Sequence, residues 1–137
     1  MSGNKKLIDE LDFKNDVNYY LEHTWAKVKD NQVLVGITDY AQDQLGELIF
    51  IELPSVNDEF IKGDVFGQAE SAKTVSSLYM PVSGKVISVN SQVEDDPEIL
   101  NKDPYGEGWL LLIEPEALNE VDQLLSKEAY IQLLRER

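Results

Sequence analysis

One lysine stands apart from the background of this chain. Lys73 lies in the middle of residues 66–84, where two β-like runs flank a short polar tip. A hairpin tip directs its side chains away from the sheet and into solvent. The neighbours Ser71 and Ala72 are small, so the amine is open to a modifying enzyme. A lysine amine can form a stable amide with a carboxylic acid and lose its charge in doing so. The alternative is an ordinary solvated hairpin lysine, the default for an arbitrary sequence.

Composition closes most other routes to chemistry. There are no cysteines, which excludes disulfides, thiolate zinc sites, iron–sulfur ligation and cysteine nucleophiles. The single histidine, His23, rules out a multi-histidine metal site, and no metal centre is expected. Lying next to the strand-like pattern at Trp25, His23 reads as structural before it reads as catalytic. Neither GxxxxGK nor GxGxxG occurs, so nucleotide binding loses its usual loop. With 26 acidic residues in the chain, no carboxylate pair is singled out by composition. The 12 basic residues leave a net charge of −14. Such a surface repels nucleic acid and anionic lipid and favours partners with basic faces. No apolar run approaches the ~18 residues of a membrane span.

The elements that must position Lys73 are mostly strands. Residues 25–29 alternate, Asp30-Asn31 turns, and Val33, Val35 and Ile37 alternate again. Thr38 is a helix N-cap for a short turn that Gly46 stops. Further strands are expected over 48–53, 65–70, 74–80, 85–90 and 109–114, each bounded by Gly, Pro or Asn. Residues 91–107 read as an irregular connection. The tail is helical: Leu118, Val121 and Leu125 share a face, and Ser126 caps a second helix carrying Ile131 and Leu134. The pattern predicts a mainly β sandwich or barrel closed by short helices, including a C-terminal one. Residues 1–18 are expected to be a polar extension, with a short docked helix at Leu7, Ile8 and Leu11 or a frayed end. Residues 19–137 are expected to form a single domain. With neither an apolar signal core nor an Arg-rich transit segment, the expected location is cytoplasmic.

Several motifs, taken in order, give the chain a family resemblance. They are Gly36-Ile37-Thr38-Asp39-Tyr40-Ala41-Gln42, Leu45-Gly46-Glu47, Glu52-Leu53-Pro54, Glu70-Ser71-Ala72-Lys73, Pro81-Val82-Ser83-Gly84, Val89-Asn90, and the run from Asn101-Lys102-Asp103-Pro104 through Tyr105-Gly106-Glu107-Gly108-Trp109. Across residues 19–134 the chain resembles the glycine cleavage H proteins. The resemblance implies a lipoyl-domain-like β-sandwich, the barrel-sandwich hybrid, with added helices. It implies a non-catalytic carrier, with lipoate amide-linked to Lys73 as a swinging arm. Biotin carriers place the lysine between methionines, whereas Ala72 and Thr74 flank it here. Glu70, with Ser71 and Ala72, resembles the family's recognition site for lipoylating enzymes; its other reading is one more surface carboxylate. Dihydrolipoamide dehydrogenase is a further implied partner, and a freely diffusing monomer is expected.

The resemblance also has a gap. The family holds its cationic aminomethyl cargo with a glutamate in His-Glu-Trp and an aspartate four residues after the lipoyl lysine. Here those positions are Thr24 and Ser77, and a frequent histidine position is Tyr40. With Glu22 and His23, these residues are the candidate arm cleft. A buried ammonium needs anionic acceptors, so two neutral replacements suggest a different cargo. The favoured expectation is a lipoate-binding protein of sulfur oxidation, working with a heterodisulfide-reductase-like complex. The alternative is a genuine H protein that shuttles aminomethyl groups from glycine decarboxylase to aminomethyltransferase. A lipoyl relay protein and an unmodified interaction module are the remaining readings.

Overall fold

The computed structural model describes residues 5–136. Among the described residues nine strands form two sheets, with short helices at the connections and a longer one near the C-terminal end. The six-stranded sheet contains β1 (Asn18–Tyr19), β2 (Thr24–Lys29), β3 (Gln32–Ile37), β5 (Glu59–Phe60), β8 (Gly84–Val89) and β9 (Leu111–Pro115), in the order β1-β2-β3-β9-β8-β5. The three-stranded sheet is β4 (Leu48–Glu52), β6 (Val65–Ser71) and β7 (Val75–Tyr79), in the order β4-β6-β7. All strand pairs are antiparallel.

Local chemistry explains the strand boundaries. Asp30 and Asn31 have φ of 52° and 67° between β2 and β3, the mirror-image turn that matches the twist of a two-residue hairpin. Gly36 stands opposite Trp25, and a Cβ there would come 2.5 Å from the indole. The indole therefore lies on bare backbone and is fully buried.

The main core fills the space between the sheets. It includes Val33, Val35 and Ile37 from β3, Leu48 and Ile51 from β4, Phe66 and Ala69 from β6, Leu78 from β7, and Leu111 and Ile113 from β9. A second cluster of Val17, Tyr19, Trp25, Tyr130 and Leu134 gathers where α4 (Lys127–Arg135) and the N-terminal residues meet β1 and β2. Within it Tyr19 and Tyr130 stack at 4.6 Å, and the Trp25 indole N–H donates to Pro104 O at 3.1 Å.

The expected N-caps are present: Thr38 Oγ1 accepts from Ala41 N at the start of α1 (Asp39–Leu45), and Ser126 Oγ accepts from Ala129 N at the start of α4. Three expectations need correcting. Residues 91–107 are not irregular throughout, because α2 (Ser91–Asp95) and α3 (Ile99–Lys102) lie within them. Asn90 organises this segment by accepting from Gln92 N and donating to Glu107 O and Trp109 O, while Val93 and Leu100 are buried. The last strand begins at Leu111 rather than Trp109, and Trp109 is only half-buried, packing against the second cluster. The expected N-terminal helix is a single 3-10 turn, Ile8–Glu10, with Leu11 buried behind it.

Candidate functional site

The turn between β6 and β7 places Lys73 at an exposed tip. Ser71 N donates to Thr74 O at 2.9 Å, closing the turn. The Ser71 hydroxyl oxygen accepts from both Lys73 N and Thr74 N at 3.3 Å. Ser71 is buried and Ala72 exposed, so the serine is the clamp of the tip while the alanine keeps space open around the amine. The Lys73 stem lies over the C-terminal end of α1. Gly46, with φ of 83°, ends that helix, and a Cβ there would stand 3.7 Å from Lys73 Cε.

A second ammonium approaches from the N-terminal residues. Lys5 Nζ donates to Gln44 O at 2.7 Å, and Lys6 N donates to Asp43 Oδ2 at 3.0 Å. A cation at the carbonyl end of a helix is favourably placed. The Lys73 amine is held below the ordinary lysine range, first by loss of solvation and then by the Lys5 charge. Sequence reasoning missed Lys5, since no local pattern announces a contact across so long a separation.

Beside the tip, a cleft of about 280 Å3 runs between β7, β2 and α1. All five candidate cleft residues, Glu22, His23, Thr24, Tyr40 and Ser77, line it. Unforeseen wall residues include Ile37 and Val75, which the sequence marks only as strand, and Ala41 and Leu45, which it marks only as helix. Thr24 is buried, and its hydroxyl donates to Tyr79 O at 2.9 Å, tying β2 to β7. His23 adopts φ of 74°. Its Nδ1 is 2.8 Å from the Tyr130 hydroxyl, which is 2.9 Å from Thr38 Oγ1. Its ring tilts against Tyr40 at 4.9 Å. His23 thus fastens the cleft wall to α4 and to the start of α1. Glu22 is exposed and is the one carboxylate among the lining residues.

Glu70 lies outside the cleft. It is half-buried on β6, directly between Phe50 of β4 and Val75 of β7. Among the described residues no cluster of three or more His, Asp and Glu is arranged to hold a metal, and no helix is long and apolar enough to cross a membrane.

Two sheets enclosing one core, with an exposed lysine on a clamped hairpin, define the lipoyl-type carrier fold. The glycine cleavage H-protein family model matches residues 17–137, and the chain belongs to that family. It is 51% identical over 121 residues to the glycine cleavage system H protein of Carboxydothermus hydrogenoformans, covering 88% of this chain and 93% of the relative. Over 126 residues it is 44% identical to the H protein of Anoxybacillus flavithermus, covering 92% and 99%. The crystal structure of a glycine cleavage system H protein from Mycobacterium marinum superposes with a TM-score of 0.83 at 37% identity, covering 90% of this chain and 99% of that one. The cofactor of this family is lipoate, held covalently on a lysine, and its members are carriers rather than catalysts. These relatives are named for glycine cleavage and not for sulfur oxidation. They favour the alternative expectation over the sulfur-carrying one and lend no support to a heterodisulfide-reductase-like partner.

Proposed function

We propose that this chain carries lipoate as an amide on Lys73 and moves the glycine-derived aminomethyl group from a glycine decarboxylase to an aminomethyltransferase. The observation that carries this reading is the position of Lys73, exposed at a clamped tip beside a cleft whose wall holds the Glu22 carboxylate. When attached, lipoate supplies the sulfur chemistry that a cysteine-free chain lacks.

The chain's own residues have separate tasks. Ser71 makes the tip a rigid post by holding two backbone N–H groups. Ile37, Ala41 and Leu45 give the cleft apolar walls that exclude water from an arm folded against them. Glu22 offers the anion that a cationic cargo requires when it leaves water. His23, held through Tyr130, fixes the wall beside Glu22. Glu70, Ser71 and Ala72 are assigned to recognition by lipoylating enzymes. Dihydrolipoamide dehydrogenase is assigned to reoxidation of the spent arm. Residues 19–137 are the carrier domain and residues 1–18 its extension, acting as a monomer in the cytoplasm.

A second reading rests on Thr24 and Ser77. With no carboxylate at those positions the cleft holds less anion for a cation, which suits a sulfur cargo in a carrier working alongside a heterodisulfide-reductase-like complex. One experiment separates the two: the lifetime of the glycine-loaded arm is measured in the parent and in Glu22→Gln. The aminomethyl reading expects a loaded parent and a lifetime shortened about five- to tenfold in the variant, the loss of a charge-assisted hydrogen bond relative to a neutral one. A parent that glycine decarboxylase never loads would overturn it in favour of sulfur.

A further inference from the structure

The N-terminal residues are fastened along α1 and reach the attachment tip at Lys73. Residues 5–16 precede the stretch that the family model matches, residues 17–137. Their anchors are specific. Phe13 meets Tyr19 and Tyr130 edge-on at 6.4 and 6.0 Å, and Leu11 is buried. At the start of α1, Asp12 N donates to Asp39 Oδ2 at 2.8 Å, and Arg135 of α4 pairs with Asp9 at 2.7 Å. At the other end of α1, Lys6 N donates to Asp43 Oδ2 and Lys5 Nζ to Gln44 O.

Lys5 and Lys73 therefore stand at one helix end. The last carbonyls of a helix attract cations, and α1 has no basic residue in its own last turn. Lys5 supplies that cation at Gln44 O. A Cβ on Gly46, the residue that ends α1, would stand 3.9 Å from Lys73 Nζ. Two ammoniums at one helix end repel each other. The Lys73 amine registers this, being held below the ordinary lysine range by desolvation first and then by Lys5. Such coupling is reciprocal: what Lys5 does to the charge on Lys73, that charge does to the seating of Lys5. Asp43, Glu47, Glu98 and Lys102 border a hollow at Gly46, and they are the same residues whether Lys73 is bare or acylated.

We propose that residues 5–16 are a latch that reads the acylation state of Lys73: its Lys5 end is held weakly while Lys73 is a bare ammonium and seats firmly on the end of α1 once Lys73 is an amide. The inference rests on Lys73 as the attachment site. Acylation joins Lys73 Nζ to the acyl carbon of an activated donor. The donor's leaving group departs with its bonding pair, the ammonium gives up two protons, and the positive charge is gone. Through Tyr40, Ala41, Gln44 and Leu45, α1 is also a wall of the cleft. A latch seated on Gln44 O steadies that wall chiefly when an arm is present to use it.

The test is hydrogen exchange of the backbone amides of residues 5–10, read by mass spectrometry. It compares the unmodified chain, the chain lipoylated by a lipoate–protein ligase, and the variants Lys73→Gln and Lys73→Arg. Exchange should slow about threefold in the lipoylated chain and in Lys73→Gln, the scale of repulsion between two like charges a few ångström apart in water. Lys73→Arg, which keeps the charge, should match the unmodified chain. In Lys5→Met, exchange should be the same with Lys73 bare or lipoylated. Amides of β3 and β9 should exchange equally in all forms, which separates the latch from a change in global stability. Equal exchange of residues 5–10 in Lys73→Gln and Lys73→Arg would overturn the proposal. So would faster exchange in the lipoylated chain, the sign of an arm that displaces the latch. A chain that the ligase leaves bare at Lys73 would refute the attachment reading instead, and the Gln–Arg pair would still decide the charge coupling.

Discussion

A few side chains are held in ways that change their chemistry. The Lys73 amine lies below the ordinary lysine range through desolvation and the nearby Lys5 ammonium. Below the pH at which an ordinary lysine deprotonates, more of it is therefore neutral and nucleophilic than at an unperturbed surface lysine. Acetylation mapped by mass spectrometry across pH should show Lys73 reacting earlier in a rising titration. Lys5→Met should move its profile upward in pH and leave the desolvation part of the difference in place. Identical profiles in parent and variant would show that Lys5 does not act on the Lys73 amine. Thr24 is a second case. In the sequence it reads as a missing anion, whereas in the structure Thr24 is buried and its hydroxyl donates to the partly buried Tyr79 O. Thr24→Val should destabilise the fold by about 1 kcal/mol, the net loss of one hydrogen bond, measured by denaturant unfolding.

At the element scale, strands and hairpins carry the site and packing carries the strands. Trp25 is fully buried against Gly36 while Trp109 is half-buried. Trp25→Ala should cost about 3–5 kcal/mol and Trp109→Ala distinctly less. Equal losses in denaturant unfolding would contradict the packing described. The strands of five to seven residues are readable because alternation and turn residues such as Asp30-Asn31, Gly63-Asp64 and Pro81 bound them, whereas the two-residue β1 and β5 carry no such pattern and are not foreseen; the caps at Thr38 and Ser126 follow from their hydroxyls. The α2–α3 region was not readable. Its order depends on Asn90 reaching Glu107 O and Trp109 O, contacts that local sequence does not encode. The cleft was readable only in part. Glu22, His23, Thr24, Tyr40 and Ser77 could be named from motif positions, but apolar residues such as Ile37 and Leu45 look like any core residue until two sheets and a helix bring their edges together.

At the scale of the whole molecule, the 26 acidic and 12 basic residues create a field that partners must match. Exposed charges more than a Debye length apart, ~10 Å at 0.1 M salt, are largely screened. Raising ionic strength should therefore slow association with the acylating enzyme, chiefly through kon. Salt-independent association rates would show that the acidic surface plays no part in docking. The arm swings from the small clamped post at Lys73. Intact mass spectrometry of the protein isolated from cells that make lipoate, with the adduct mapped to its residue, addresses it most directly. One lipoyl increment on Lys73, lost in Lys73→Arg while cooperative unfolding is retained, is the expected result. An adduct on Lys85, or an unmodified chain in such cells, would refute it.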